Sequence, residues 1–144
     1  MELLKESVMQ KTRDRHIVIL NSLSQDDHGN LYAAVSKEVV MKKLRDKNVV
    51  VLSVQPQDDY EKLHIKGSEN LPLGQSHQDF AQMVDHKYGK DNLYITYSTD
   101  CTCNASFNAA DALRKEGFIA FAYLGGIQEW SQVGFPTEGV VSQQ

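Results

Sequence analysis

Short apolar runs alternate along this chain with segments in which apolar residues are spaced three or four positions apart. The runs at residues 49–54, 93–97 and 119–124 are nearly uninterrupted, as in strands buried on both faces of a parallel sheet. A further strand at residues 70–73 can only be brief or at the sheet edge, because it contains Pro72. Strands that alternate with helices predict an α/β fold with a mainly parallel sheet flanked by helices.

Helical spacing predicts three principal helices, over residues 36–45, 75–88 and 104–116. Ser36 is the N-cap expected for the first helix, and Gly89 and Gly117 end the other two. Shorter helices are expected at residues 58–62 and around Trp130, whose indole we expect in the core. In the second helix Phe80, Met83, Val84 and Tyr88 keep helical spacing, and in the third Phe107, Ala110 and Leu113 mark one face.

Both cysteines of the chain lie in the connection between the strand at 93–97 and the helix that follows it. In parallel sheets, ligands bind beyond the carboxyl ends of the strands. A thiol beside a helix N-terminus meets unpaired N–H groups and the positive end of the helix dipole, which favour the reactive thiolate. Cys101 and Cys103 are therefore candidate nucleophiles. The candidate binding loop around them consists of Ser98, Thr99, Asp100, Thr102, Asn104, Ala105 and Ser106.

Composition and charge limit the other roles that this chain could have. At 144 residues it is most simply one domain, and a net charge of −4 argues against nucleic acid or an anionic membrane as a partner. No apolar run is long enough to span a bilayer, and the N-terminus lacks the pattern of a signal peptide. Two cysteines one residue apart cannot form a disulfide framework, so we expect a cytoplasmic protein.

Alternative roles for the cysteines and histidines are simpler. A free cysteine is often a small buried apolar residue, but the polar neighbours of Cys101 and Cys103 favour reactivity. The two thiols could also form a redox pair. Cys-x-Cys supplies at most two metal ligands and no histidine lies near it in sequence, so we expect no metal and no cofactor. For His64 we expect a packing or hydrogen-bonding role rather than catalysis.

Several spaced motifs occur in a fixed order between residues 34 and 138. They are Val51-Leu52-Ser53-Val54 with Tyr60, His64-Ile65-x-Gly67 with Asn70-Leu71-Pro72, and Leu124-Gly125-Gly126-Ile127 with Trp130 and Gly134-Phe135-Pro136. Together they resemble the rhodanese-like (sulfurtransferase) domain family. We accordingly expect a single rhodanese-like domain at residues 34–144. Residues 1–33 form an N-terminal extension, outside the resemblance, that could serve a partner or a homodimer.

The resemblance implies sulfur transfer through a cysteine in a cradle-shaped loop. Such a cysteine takes a sulfane sulfur from a small donor such as thiosulfate, a persulfide or a polysulfide, and holds it as a persulfide. It then passes the sulfur to a thiol or protein acceptor. Backbone N–H groups of the loop point at the sulfur, as in an oxyanion hole.

The chain departs from the usual loop of that family. Ser98 occupies the position of the usual cysteine and Ala105 that of the usual arginine, while Ser53 and Gln55 replace the strand's Asp and Arg. The loop is also two residues longer. The sequence Cys103-Asn104-Ala105-Ser106 resembles a variant group with a Cys-x-Ala-Ser element, which favours Cys103 over Cys101 as the nucleophile. Asn104 or Ser106 is expected to cap the helix that follows.

Charge around the loop bears on the substrate. No lysine or arginine occurs between Asp91 and Leu113. Small dianions should therefore bind poorly unless the fold brings Lys66, Lys90 or Arg114 alongside, and a neutral or protein-borne persulfide donor is favoured. The alternative hypothesis is a rhodanese fold without catalysis that serves as a binding or regulatory module.

Overall fold

Helices and strands alternate in the computed structural model, which describes residues 34–74, 77–100 and 104–140. In chain order the elements are α1 (Lys37–Lys43), β1 (Val49–Ser53), α2 (Gln57–Lys62), β2 (His64–Ile65), β3 (Glu69–Asn70), α3 (His77–Tyr88), β4 (Leu93–Tyr97), α4 (Ala105–Lys115), β5 (Ile119–Tyr123), α5 (Gly126–Gln132) and β6 (Thr137–Glu138). The predicted strands and helices within these ranges are confirmed, apart from the strand predicted at residues 70–73.

The main sheet is parallel and has the strand order β3-β1-β4-β5. Its register places Val51 beside Ile95, and Ile95 beside Phe121. Strands β2 and β6 form a separate antiparallel pair. The expected strand with Pro72 is shorter than the pattern indicated, because only Glu69–Asn70 pairs, at the edge of the sheet. The prediction of an α/β domain with a mainly parallel sheet is confirmed.

Apolar side chains cover both faces of this sheet. Helices α3 and α4 pack on one face, against a cluster that includes Leu52 and Tyr94. Helices α1 and α5 pack on the other, where Trp130 is completely buried beside Val51 and Ile95. Successive residues of a strand point to opposite faces, so a strand covered on both faces is apolar at nearly every position. This arrangement explains the uninterrupted apolar runs.

Two apolar residues of these helical patterns lie on the surface. The side chains of Met83 and Phe107 are 50% and 42% exposed. Helix α4 turns Ser106, Ala109 and Ala110 to the sheet, and consecutive residues lie about 100° apart around a helix, so position 107 points away. A large apolar residue on a helix is therefore not by itself a sign of the buried face.

The expected helix ends at Ser36, Gly89 and Gly117 are confirmed. The Ser36 hydroxyl accepts a hydrogen bond from the Val39 N–H at 3.4 Å, as an N-cap does. Gly89 ends α3 with a positive φ of 86°. The patterns in residues 1–33 and the three residues Cys101, Thr102 and Cys103 lie outside the described residues. Within the described ranges, no helix is long and apolar enough to cross a membrane.

Candidate active-site loop

The carboxyl ends of the central strands are tied together just before the cysteine loop. The Val54 N–H donates to Tyr97 O at 2.8 Å, which extends the ladder between β1 and β4 by one residue. The Leu71 N–H donates to Ser53 O at 2.9 Å and does the same between β1 and β3. The loop that starts at Ser98 therefore leaves the middle of a rigid edge, where parallel sheets bind their ligands.

The first residues of this loop are held by helix α5. The N–H of Ile127 donates to Ser98 O at 3.0 Å, and the N–H of Gln128 donates to Thr99 O at 2.9 Å. Both donors lie in the first turn of α5, where N–H groups lack partners inside the helix. These bonds fix the direction in which the chain enters the loop.

Gly126 makes this contact between α5 and the loop possible. Its φ is +69°, and a Cβ atom at this position would lie 2.6 Å from both Ser98 O and Thr99 O. Only glycine combines this backbone conformation with so close an approach. Gly125-Gly126 is part of the spaced motifs in the sequence, but this role of Gly126 is visible only in the fold, where residues 98 and 99 meet α5.

The candidate loop residues that the structure describes differ in exposure. Ser98 and Ser106 are buried, Asp100 and Ala105 are partly buried, and Thr99 and Asn104 are exposed. The segment thus begins and ends with a buried serine. Cys101, Thr102 and Cys103 fall outside the described residues, so their assignment to the site stays a prediction.

The predicted side-chain cap of helix α4 is wrong for both candidates. Asn104 is at the N-cap position but makes no side-chain cap bond, because its φ of −78° and ψ of −2° are helical rather than extended. The Ser106 hydroxyl makes no hydrogen bond to any residue in the described part of the chain. The start of α4 is instead tied to the sheet through the Thr96 hydroxyl, which donates to Ser106 O at 2.7 Å.

Neutral side chains form a buried network at the end of β1. The Ser53 hydroxyl donates to Gln55 Oε1 at 2.8 Å and accepts from the Gln55 N–H at 3.2 Å. The Asn70 amide donates to the backbone oxygens of Ser53 and Gln55 at 3.2 and 3.1 Å. These contacts join β1 to β3 beneath the loop edge without a buried charge.

Two tyrosines at the strand ends are held in the neutral form. The Tyr97 hydroxyl accepts from the Ile65 N–H at 3.0 Å and lies 2.7 Å from the Ser68 hydroxyl. Burial raises the pKa of Tyr97 to about 12. Burial also raises the pKa of Tyr123, whose hydroxyl donates to Glu129 at 2.7 Å. Neither phenol supplies a charge near neutral pH.

Two of the three cations named as potential partners of the loop lie at the opposite edge of the sheet. The Lys90 ammonium lies over the Phe118 ring, 5.3 Å from its centroid, before the start of β5. Arg114, in the last turn of α4, donates to Ala120 O at 3.1 Å. Lys66 is exposed between β2 and β3. Lys37 is paired with Glu38 at 3.4 Å and with Glu129 of α5 at 4.0 Å.

His64 has a structural environment. Its ring stacks on Tyr60 with centroids 3.8 Å apart, and its Nδ1 atom lies 2.6 Å from Tyr60 O. Its Nε2 atom is 3.5 Å from Glu138 of β6. These contacts agree with the packing role expected from the sequence. Among the described residues no group of His, Cys, Asp and Glu side chains could hold a metal ion.

Comparisons with known proteins agree with the fold. A family model described as a rhodanese-like domain matches residues 36–133. No curated protein sequence matches the chain.

Three solved structures illustrate the likeness. A Bacillus halodurans protein aligns with a TM-score of 0.66 and 21% identity over 76% of this chain and 78% of its own. A rhodanese-like domain from Anabaena aligns with a TM-score of 0.63 and 22% identity, over 78% and 83% of the two chains. A rhodanese-related protein from Thermoplasma volcanium aligns with a TM-score of 0.58 and 22% identity, over 74% of this chain and 98% of its own. At these identities the structural likeness shows the fold alone.

Proposed function

This chain belongs to the rhodanese-like domain family, and we propose that it is a sulfurtransferase that carries a sulfane sulfur as a persulfide on a loop cysteine. Cys103 is the favoured carrier and Cys101 the alternative. The observation that supports this most is the anchoring of the loop entrance by two N–H donors of α5, at Ser98 O and Thr99 O. A loop fixed in this way at the carboxyl edge of a parallel sheet is suited to chemistry on the residues that follow.

The proposed transfer has two displacement steps. In the first, the cysteine thiolate attacks the outer sulfur of a persulfide or polysulfide donor. A new S–S bond forms as the donor's S–S bond breaks, and the donor leaves as a thiolate with the bonding electron pair. In the second, an acceptor thiolate attacks the outer sulfur and the loop cysteine leaves as a thiolate. No oxidant is needed in either step.

The charges near the loop favour donors that are neutral or carry one charge. Lys90 and Arg114 lie at the far edge of the sheet, and Lys37 already pairs with two carboxylates. Asp100, within the loop, adds negative charge. A dianion such as thiosulfate would lack the bidentate, charge-assisted contact that an arginine gives. We therefore propose a persulfide or polysulfide as the donor and a thiol or protein as the acceptor.

Intact-protein mass spectrometry after incubation with polysulfide tests the proposal. Wild type and Cys101→Ser are expected to gain the mass of a sulfur atom, and to lose it when an acceptor thiol is added. Cys103→Ser is expected to gain none. A gain in Cys103→Ser but not in Cys101→Ser would make Cys101 the carrier. No gain in wild type or either single variant would reject sulfur transfer.

A second candidate function is a binding or regulatory module without catalysis. It is favoured by Ala105 at the start of α4, where the family's usual loop has an arginine, and by the neutral network at Ser53 and Gln55. The measurement that separates the two is the pKa of the loop thiols. A value near the ordinary 8.5 supports the module, and a value well below it supports the sulfurtransferase.

A further inference from the structure

The outer side of helix α3 borders an open groove on the surface of the domain, with a volume of about 520 Å³. Its lining consists of Leu71, which follows β3, and of Asp79, Gln82, Met83, His86 and Lys87 of α3. The five helix positions recur every three or four residues, so they form one exposed stripe along the helix, the α3 stripe. Met83, at its centre, is 50% exposed. Methionine is enriched at protein interfaces because its flexible side chain fits irregular gaps, so this stripe is a candidate contact surface.

The charges of the α3 stripe are arranged symmetrically about Met83. Asp79 lies four residues before it, and Lys87 lies four residues after it. Residues four apart are neighbours on a helix, so the three form one row, with the charged residues about 6 Å on either side of Met83 along the axis. The Lys87 ammonium lies 5.5 Å from the centroid of the Tyr88 ring, a contact that retains its charge. A row with an acid at one end and a base at the other is complementary to a second copy that runs in the opposite direction.

We propose that the α3 stripe is the interface of a homodimer with twofold symmetry. In such a contact both protomers contribute the same patch, and every pair of residues occurs twice. The two α3 helices pack in opposite directions, with both Met83 side chains at the axis and Asp79 of each protomer opposite Lys87 of its partner. Two helices whose rows of residues four apart interlock cross at about −50°, which brings such rows side by side. A partner of one charge sign is a poorer fit, because one end of the row would repel it.

The size of the α3 stripe predicts a weak dimer. Helix α3 has 12 residues and is therefore about 18 Å long. One helix from each protomer buries less than the roughly 800 Å² per partner of a standard interface, so this contact belongs to the weak and transient class. We expect a dissociation constant between about 10 μM and 1 mM. The contact uses no residue of the cysteine loop, so the dimer is independent of the proposed function.

Sedimentation equilibrium of the full chain over that concentration range measures the dimer. Wild type is expected to pass from monomer to dimer. Asp79→Lys and Lys87→Asp are each expected to weaken the homodimer about tenfold, because each places like charges opposite one another twice. Asp85→Lys is the matched control, since it makes the same change at an exposed position of α3 that lies about 200° around the helix from Met83. It is expected to associate as wild type does.

A mixture of the two charge-reversed variants is the sharper test. The row has a base at both ends in Asp79→Lys and an acid at both ends in Lys87→Asp. The two variants should therefore pair with each other as tightly as wild type pairs with itself, although neither forms its own dimer well. Should either variant be unstable, Asp79→Asn changes the first turn of α3 less and is expected to weaken the wild-type dimer about threefold. An unchanged dissociation constant in Asp79→Asn overturns the inference.

The remaining outcomes are equally decisive. A mixture that does not associate, or a dimer that Asp85→Lys weakens as much as Asp79→Lys does, overturns the inference, because the protomers would then meet through another surface. A wild type that stays monomeric at the highest concentration also overturns it. In that case, oxidation of Met83 by hydrogen peroxide identifies the alternative occupant. Protection of Met83 would assign the groove to residues 1–33, and rapid oxidation would leave it to a different protein.

Discussion

At the end of β1, two uncharged side chains that form hydrogen bonds, Ser53 and Gln55, replace the charged Asp and Arg of the usual family pattern. Ser53 and Gln55 are both buried and bond to each other, and Asn70 bonds to the backbone of both. A buried ion pair is costly when either partner is lost, whereas a hydroxyl and an amide satisfy each other without charge. The two replacements therefore keep the strand end ordered beneath the loop. They do not by themselves show that the site has decayed.

Gly126 gives the sharpest residue-scale prediction. In Gly126→Ala the new methyl group would lie 2.6 Å from two loop carbonyl oxygens, at a φ of +69°. We expect this substitution to separate α5 from the loop, to lower the free energy of unfolding by at least about 3 kcal/mol and to slow sulfur loading. Urea denaturation and the mass measurement check the two effects.

Gly117→Ala is the control for backbone strain alone. Gly117 has a φ of +91°, and a Cβ atom there would meet nothing within 4 Å. We expect Gly117→Ala to lower the free energy of unfolding by about 1–2 kcal/mol and to leave sulfur loading unchanged. If Gly126→Ala and Gly117→Ala lowered the stability equally, the close approach of Gly126 to Ser98 and Thr99 would not contribute to the free energy of unfolding.

Among the elements, strands were easier to predict than the details of helices. A strand covered on both faces, such as β4, is buried at every position and mostly apolar, so its sequence pattern depends little on its neighbours. The helix face is harder, because apolar residues such as Met83 and Phe107 also occur on surfaces. The predicted side-chain cap of α4 is wrong because Asn104 has a helical rather than an extended backbone conformation, which residue type alone does not reveal. The hydrogen bonds from α5 to Ser98 O and Thr99 O join residues far apart in sequence, so no local sequence pattern predicts them.

A pH dependence of stability is expected from the contact between β4 and β2. The pKa of Tyr97 is about 12 in the folded protein against an ordinary value of 10. Its protonated form is therefore favoured by folding, and the stability it contributes is complete below pH 10 and lost as pH rises toward 12. Over that range we expect Tyr97 to account for a loss of about 2–3 kcal/mol.

The variant Tyr97→Phe isolates this contribution. At neutral pH it is expected to be less stable than wild type by about 1–3 kcal/mol, because the buried Ile65 N–H loses its acceptor. Between pH 10 and 12 it should lose less stability than wild type, so that the two curves approach each other. Urea midpoints across this pH range check the expectation, and parallel curves would contradict it.

On the scale of the whole molecule, charge is distributed unevenly between the two edges of the sheet. The chain has 15 Lys and Arg against 19 Asp and Glu. At the amino-terminal edge Lys90 and Arg114 contact Phe118 and Ala120, whereas Lys37 pairs with Glu38 and with Glu129 of α5. An anionic ligand that approaches the loop is thus attracted only weakly by the electrostatic field of the protein. The acidic composition was visible in the sequence, but the placement of the cations required the fold.

If this charge distribution determines which sulfur donors bind, adding one cation at the loop should allow dianions to bind more tightly. Ala105→Arg places a guanidinium at the first residue of α4, partly exposed and next to the loop. We expect thiosulfate to protect the loop thiol from alkylation at concentrations at least about tenfold lower than in wild type, since a hydrogen bond to a charged group contributes about 1.5–3 kcal/mol. The gain should shrink as salt is added. Ala105→Gln, a polar side chain without the charge, should leave protection unchanged. If thiosulfate protected the thiol equally well in both variants, the length and hydrogen bonding of the side chain at position 105, and not its charge, would limit the binding of dianions at this site.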